Sequence, residues 1–279
     1  MNTPTYAELE NELKALLDFP YRVAAVRLLK TEEEYQQLAI PEPKSALNYC
    51  QMVKAALTGH SFKASQAEHF RCLAGPSTIG ILPYPAENES GENLCDIGMY
   101  RDLVVAHDIA QKMAHCPHWA YGVAVQPLSA CSEPPQVVII VTNPFNAMRI
   151  VQGYSFEYGT NTSFQMTGNQ AFCSECTAYP LQHGRINISL LCSGTRNRVK
   201  WNENELAVGI PFIQLETVIR GIRSTVNPME LDDKKAQIQQ KLQQLGEDTQ
   251  WIRFGWNYWS GLKERQDQTY AGLLDKDKE

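Results

Sequence analysis

Hydrophobic and polar positions follow two different periods along the chain. Leu9, Leu13 and Leu16 recur every three to four residues among Glu and Lys, which predicts an amphipathic helix over residues 5–18. Short apolar runs predict strands at 21–29, 121–128, 135–142 and 185–192, and the alternation in TNTSFQMTG predicts another at 160–168. The run PQVVIIVT at 135–142 is apolar at successive positions, so we expect this strand to be buried on both faces.

Capping residues mark the starts of several predicted helices. Thr31 begins one with a capping box, Ser45 is the predicted N-cap of the next, and Pro144 suits the first turn of a third. Helices are therefore predicted at 31–38, 46–57, 102–115, from 144, at 169–179, in the latter half of 203–222 and at 228–245.

The alternation of strands and helices predicts an α/β (or α+β) body whose two halves are alike. Each half has, in the same order, a strand, a helix, a helix with a cysteine, a glycine and a second cysteine followed by another glycine. This order predicts two similar βα lobes produced by internal duplication, although a chance match of so few anchors is the alternative. The predicted units are an N-terminal helix (1–18), a first cysteine-bearing lobe (19–98), a second (99–227) and a C-terminal helical, aromatic tail (228–279).

Composition and charge narrow the functional class. The chain has 279 residues, of which 43% are hydrophobic and 20% charged, as is usual for a soluble globular protein. The net charge of −6 and the small size of the largest basic group, Arg196, Arg198 and Lys200, argue against nucleic-acid binding. The sequence shows neither a signal peptide nor an apolar run long enough for a membrane span, so we expect a cytoplasmic protein.

The tail concentrates aromatic residues in WIRFGWNYWSGL at 251–262. Such a segment either folds its aromatic face onto the body or forms an interface or lid. A homo-oligomer formed through this tail is therefore one prediction for its role.

Cysteines are the main candidates for chemistry, because a reducing cytoplasm disfavours disulfides among the eight present. Two pairs have similar separations, with Cys50 and Cys72 lying 22 residues apart and Cys173 and Cys192 lying 19 apart. If the two lobes face each other, these four thiols meet at their junction. Four thiolates suit a zinc ion or an iron–sulfur cluster.

Several stretches carry a family resemblance: SALNYCQMVKAALTG, FRCLAG with IGI, PPQVVIIVTNPFNAMRIVQG, and QAFCSECTAYPLQHGRINISLLCSGTRNR with ELAVGIP. Together they span residues 20–225 and resemble the archaeal and bacterial cysteine-rich (ArCR) family, a domain of unknown function numbered one-six-nine. The resemblance implies that Cys50, Cys72, Cys173 and Cys192 are the characteristic cysteines. It also implies that Gly194 and Arg196 complete a C-x-G-x-R signature, and that the tail after residue 227 lies outside the family's extent. It implies no activity.

The leading interpretation is a [4Fe–4S] redox protein or reductase, with a redox partner or a small-molecule substrate. Arg196 would offset cluster charge or hold an anionic substrate, and Cys176 would be an alternative ligand. The alternative is a ligand-binding or accessory protein with a structural zinc site of four cysteines or with free thiols. The Cys173-x2-Cys176 spacing fits zinc or a redox dithiol, although no second C-x2-C motif accompanies it.

The other candidates have structural explanations. Cys95, Cys116 and Cys131 are expected to be small core residues, as free cysteines often are. The motif HCPH at 115–118 has metal-ligand residue types, but its tight spacing around Pro117 favours a helix end. The stretch SGTRNR at 193–198 could cradle a phosphate or carboxylate, but it lacks the spacing of a P-loop.

Overall fold

One six-stranded antiparallel sheet forms the centre of the computed structural model, which describes residues 3–260. Its strands are β1 (Ala24–Leu29), β2 (Phe62–Ala64), β3 (Gly122–Pro127), β4 (Val137–Thr142), β5 (Asn187–Ser189) and β6 (Leu206–Pro211). They lie in the order β2-β3-β1-β4-β6-β5. With helices on both faces, this is the mixed α and β architecture that the sequence predicts.

Thirteen α-helices and one π-helix lie within the described residues. The α-helices are α1 (Tyr6–Leu17), α2 (Glu32–Gln37), α3 (Tyr49–Leu57), α4 (Ala74–Thr78), α5 (Ala86–Glu89), α6 (Glu92–Asp96), α7 (Leu103–Lys112), α8 (Pro144–Tyr158), α9 (Tyr179–His183), α10 (Ser193–Val199), α11 (Phe212–Ser224), α12 (Val226–Met229) and α13 (Asp232–Gln244). The π-helix spans Ala171–Ala178. Between residues 3 and 260, no helix is long and apolar enough to cross a bilayer.

Side chains from alternate positions of the strands enter two separate cores. Val138 and Ile140 of β4 pack into a core closed by α1, α8, α11 and α13. Their neighbours Val137, Ile139 and Val141 point to the opposite face, which α3 and the π-helix cover. All six residues of β4 are buried, as expected for a strand covered on both sides.

The two halves of the sheet have matching strand order and register. In each half the first strand pairs along its whole length with the third, so that Ala24 faces Pro127 and Val137 faces Pro211. The second strand of each half pairs with that same third strand. β2 begins with Phe62 opposite Val125 of β3, and β5 begins with Asn187 opposite Gly209, which is the corresponding position of β6. β1 and β4 then pair antiparallel at the centre, with Ala25 opposite Val138 as the middle pair. This pseudo-twofold arrangement agrees with the duplication predicted from the anchor residues.

The two halves form one continuous sheet, and the boundary between them is the pairing of β1 with β4. β3 lies within residues 99–227, the predicted second lobe, but pairs with β1 and β2 of the first half. The lobe boundaries themselves stay a prediction.

The predicted starts and extents of some elements were wrong. α3 begins at Tyr49 rather than near Ser45, because Leu47 is held in a backbone bridge to Phe70 and Asn48 forms the capping box instead. The predicted strand at 185–192 is shortened to β5, since Leu191 adopts a positive φ of 67°.

The predicted strand at 160–168 is irregular. Side chains hold this segment in place of a strand ladder: Asn161 Nδ2 donates to Ile186 O at 3.0 Å and Gln165 N donates to Asn187 Oδ1 at 2.9 Å. Polar side chains that bond backbone groups replace strand pairing here.

The described part of the tail packs mainly on the body. Ile238 and Leu242 of α13 and Ile252 belong to the core beneath α1 and α11. Trp259 is 72% exposed, so the aromatic face is only partly covered. Residues 261–279 of the predicted tail lie outside the described residues.

Candidate thiol-lined cofactor site

The four cysteines predicted to meet line a single cavity of about 160 Å³. Cys50 and Cys72 come from the first half of the sheet, and Cys173 and Cys192 come from the second. All four thiols are partly exposed rather than locked in the core. The site residue Gly194 also lines the cavity.

Each of the four cysteines lies at the N-terminal end of a helical segment. Cys50 is the second residue of α3, Cys173 is the third of the π-helix, Cys192 is the N-cap of α10, and Cys72 lies two residues before α4. Helix N-termini carry partial positive charge and stabilise thiolates. The backbone around the cavity therefore favours bound negative charge.

The π-helix fixes the position of Cys173. It begins after Gln170, whose φ of 52° turns the chain so that its carbonyl accepts bonds from Ser174 N at 2.8 Å and Glu175 N at 3.2 Å. Thr177 Oγ1 bonds Phe172 O at 2.7 Å, and the Tyr49 hydroxyl of α3 lies 2.8 Å from the same Thr177 oxygen. Because Thr177 uses its proton on the carbonyl, Tyr49 is the donor, and α3 is joined to the π-helix.

Close packing against the sheet also depends on Gly209 of β6. A Cβ added there would lie 2.7 Å from Cys176 Cα, so only glycine allows this approach. π-helical turns such as the one at Ala171–Ala178 are frequent at functional sites.

A buried carboxyl group anchors the loop beside the π-helix. Glu175 is 1% exposed and accepts a bond from Thr167 N at 2.7 Å as well as one from the Ser189 hydroxyl. Burial raises the pKa of Glu175, while these donors oppose the shift. Glu175 therefore holds the irregular segment 160–168 against the site.

Thr195 contacts thiols from both halves. Its backbone N–H donates to Cys192 Sγ at 3.5 Å, and its side chain lowers the pKa of the Cys50 thiol, against the effect of burial. Trp201 Nε1 donates to Thr195 Oγ1 at 3.0 Å, which orients this hydroxyl. Such partners orient the groups that bind a cofactor.

Burial controls the protonation of the thiols. It raises the pKa of Cys50 to about 11 and raises the pKa of Cys173 well above its ordinary value, and the neighbouring Cys192 and Cys72 raise both further. The thiols of Cys50 and Cys173 are therefore protonated near pH 7. A bound cation would be required to hold them as thiolates.

Arg196 of the C-x-G-x-R signature was predicted to offset cluster charge or to hold an anionic substrate, but Arg198 is the arginine that lines the cavity. Arg196 donates at 2.8 Å to the carbonyls of Leu190, Asn202 and Glu205, so it fastens the loop after α10 and does not line the cavity. Arg198 lines the cavity instead, with Nη1 donating to Asn48 Oδ1 at 2.8 Å. The sequence pattern placed Arg198 only in a small basic group and in SGTRNR at 193–198, a stretch that could cradle an anion.

Cys176, predicted as an alternative ligand, is fully buried against the sheet and does not line the cavity. Cys116 is also buried, while Cys95 and Cys131 are partly buried outside the cavity. All eight cysteines are free thiols. In the HCPH motif, the His115 ring stacks on Tyr84 at 4.0 Å between centroids, as a packing rather than a ligating group.

Lys54, which lies against two aromatic rings, was not predicted from the sequence as a residue near the site. The Lys54 ammonium lies 3.7 Å from the Trp201 ring centroid and 4.3 Å from that of Tyr21, and it donates to the Tyr21 hydroxyl at 3.1 Å. Tyr21 in turn donates to Glu205 at 2.7 Å. Burial lowers the pKa of Lys54, and Glu205 partly offsets this effect. The arrangement braces Trp201, and through it Thr195.

The four candidate ligands at the cavity are all cysteine sulfurs. Within residues 3–260, no three His, Cys, Asp or Glu side chains are grouped so as to hold a metal ion. A single zinc ion would need four sulfurs converging to about 2.3 Å from one point. Four cysteine sulfurs are also the donor set of an iron–sulfur cluster, so the donors do not distinguish the two groups.

Comparison with known proteins places the chain in a family. The model of the uncharacterised ArCR family, domain of unknown function 169, matches residues 12–221. An uncharacterized protein of Methanocaldococcus jannaschii is 23% identical over 212 residues, which cover 74% of this chain and 88% of that relative. No solved structure matches. The family match includes all six strands and the four cavity cysteines, so the chain belongs to the uncharacterised ArCR family.

Proposed function

We propose that the protein holds a [4Fe–4S] cluster between its two halves and acts as a redox protein or reductase. The observation that carries the proposal is the convergence of Cys50, Cys72, Cys173 and Cys192 on one cavity. Four cysteine thiolates are the usual ligands of such a cluster. When bound, the cluster would supply electron transfer.

The chain's own groups would bind and tune that site. The helical N-termini and the Thr195 N–H would stabilise negative charge on the sulfurs, because hydrogen bonds and net charge set the potential of a cluster. Arg198 is the only charged residue among the described residues that line the cavity, and it would offset the charge of four thiolates. Tyr49 and Gly209 would keep the π-helix, and so Cys173, at a fixed position.

The second candidate is a ligand-binding or accessory protein with free thiols or a structural zinc site of four cysteines. The raised pKa values of Cys50 and Cys173 favour free, protonated thiols when no metal is bound. On this alternative, Cys50→Ser destabilises the fold without removing any electronic absorption.

Anaerobic purification followed by iron, sulfide and zinc analysis tests the proposal. We expect about four irons per chain and a broad absorbance near ~400 nm that bleaches on reduction. Zinc in equimolar amount without iron would contradict the proposal, as would a metal-free protein that takes up no iron during anaerobic reconstitution.

A further inference from the structure

We propose that Arg198 and Asn169 bind the carboxylate of a small organic acid at the mouth of the thiol-lined cavity. The inference deepens the proposed function, because it makes this acid the substrate of the cluster site. Both residues line the cavity, Arg198 from α10 and Asn169 from the segment before the π-helix.

Arg198 is held in place but retains unused donors. Its Nη1 donates to Asn48 Oδ1, and Asn48 is itself 2% exposed and fixed by bonds of 2.8 and 2.9 Å to Gln51 Oε1. A guanidinium has five N–H donors. No other acceptor and no ion pair engages this guanidinium among residues 3–260.

Asn169 presents a second donor. Its Oδ1 accepts a bond from Gln170 N at 3.0 Å, which orients the carboxamide. The amide Nδ2 has no acceptor within the part of the chain that the structure describes. None of the described residues lining the cavity is a carboxylate, so the donors of Arg198 and Asn169 have no internal anion to bind.

Charge and surface favour a carboxylate over phosphate. One guanidinium matches the single charge and two oxygens of a carboxylate, whereas a phosphate group carries about −1.5 to −2 at neutral pH. The cavity walls include Tyr49, Ala74 and Phe172, which suit an organic body rather than an inorganic ion.

Calorimetric titration of the full-length, anaerobically purified protein with benzoate, benzamide and inorganic phosphate tests the inference. We expect benzoate to bind, and Arg198→Gln to weaken that binding about ten- to hundredfold, because a hydrogen-bonded charge pair is lost. Arg198→Lys keeps the charge without the fork and should fall between the two. Arg101→Gln, an exposed arginine outside the cavity lining, is the matched control and should bind as the wild type does.

Three outcomes would overturn the inference: benzoate that does not bind the wild-type protein, benzamide or phosphate that binds as tightly as benzoate, or Arg198→Gln that binds benzoate as the wild type does. Thermal melting of each variant shows whether it is folded. Iron content is measured on the same samples, so absence of iron counts against the proposed function alone. Benzoate binding lost only in Arg198→Gln supports the carboxylate site whether or not iron is present.

Discussion

The contact between the π-helix and β6 gives a prediction that joins stability to the site. In Gly209→Ala, the new Cβ would lie 2.7 Å from the Cα and 2.8 Å from the carbonyl carbon of Cys176. These are backbone atoms, so no side-chain rotation relieves the overlap. Overpacking costs about 1–3 kcal/mol, and a backbone clash falls at the upper end. We therefore expect a loss of about 3 kcal/mol, which is about 1 M in the urea midpoint when the slope is about 3 kcal/mol per M.

Urea unfolding followed by circular dichroism measures this cost, and Gly194→Ala is the matched control. A Cβ at Gly194 meets only Cys192 Sγ, at 3.8 Å, and alanine favours helix α10. Gly209→Ala should also bind less iron, because the π-helix that carries Cys173 is pushed from the sheet. Equal urea midpoints for Gly209→Ala and the wild type would refute the account of this packing.

Three further substitutions test other parts of the structure. Arg149→Met removes the partner of the buried Glu230 and should lower the free energy of unfolding in urea by about 3–5 kcal/mol. Replacing both residues with apolar ones should restore most of this stability. Equal losses in the single and double variants would contradict this prediction. Lys54→Met loses the cation–π contacts and should cost about 1 kcal/mol, with a changed tryptophan emission; an unchanged spectrum and midpoint would argue against these contacts. The Lys241 hydrogen bond lowers the pKa of Asp18 below its ordinary value of 3.8. The pair therefore stabilises the fold above pH 3.8, and this stabilisation is lost as the pH falls through the lowered pKa of Asp18. Asp18→Asn should therefore lose less stability than the wild type between pH 4 and pH 2, and parallel acid curves would contradict the assignment.

The sequence pattern predicted four of the six strands, β1, β3, β4 and β5, and missed β2 and β6. The β4 run is apolar at successive positions, short and rich in β-branched residues, which favours a buried strand over a helix. The ordered anchors around Cys50 and Cys173 also predicted the relation between the halves, which the matching registers of β1–β3 and β4–β6 support. The convergence of the cysteines followed from that relation.

Other features depend on tertiary contacts that no local pattern reveals. Gln170 gives no sequence sign that it will adopt a positive φ and begin a π-helix. Arg196 and Arg198 lie two residues apart on α10, and residues at this spacing do not share a helix face. Only the position of the loop carbonyls near Arg196, and of Asn48 near Arg198, decides which arginine reaches the cavity.

The central claim is that both halves contribute ligands to one iron–sulfur cluster. Its most direct test is the iron and sulfide content of anaerobically purified Cys50→Ser, Cys72→Ser, Cys173→Ser and Cys192→Ser, with Cys131→Ser as the control outside the cavity. The account predicts that each of the four variants loses most of its iron and the absorbance near ~400 nm, while the control keeps both. Full iron content in any one of the four, or loss of iron in the control, would contradict the account.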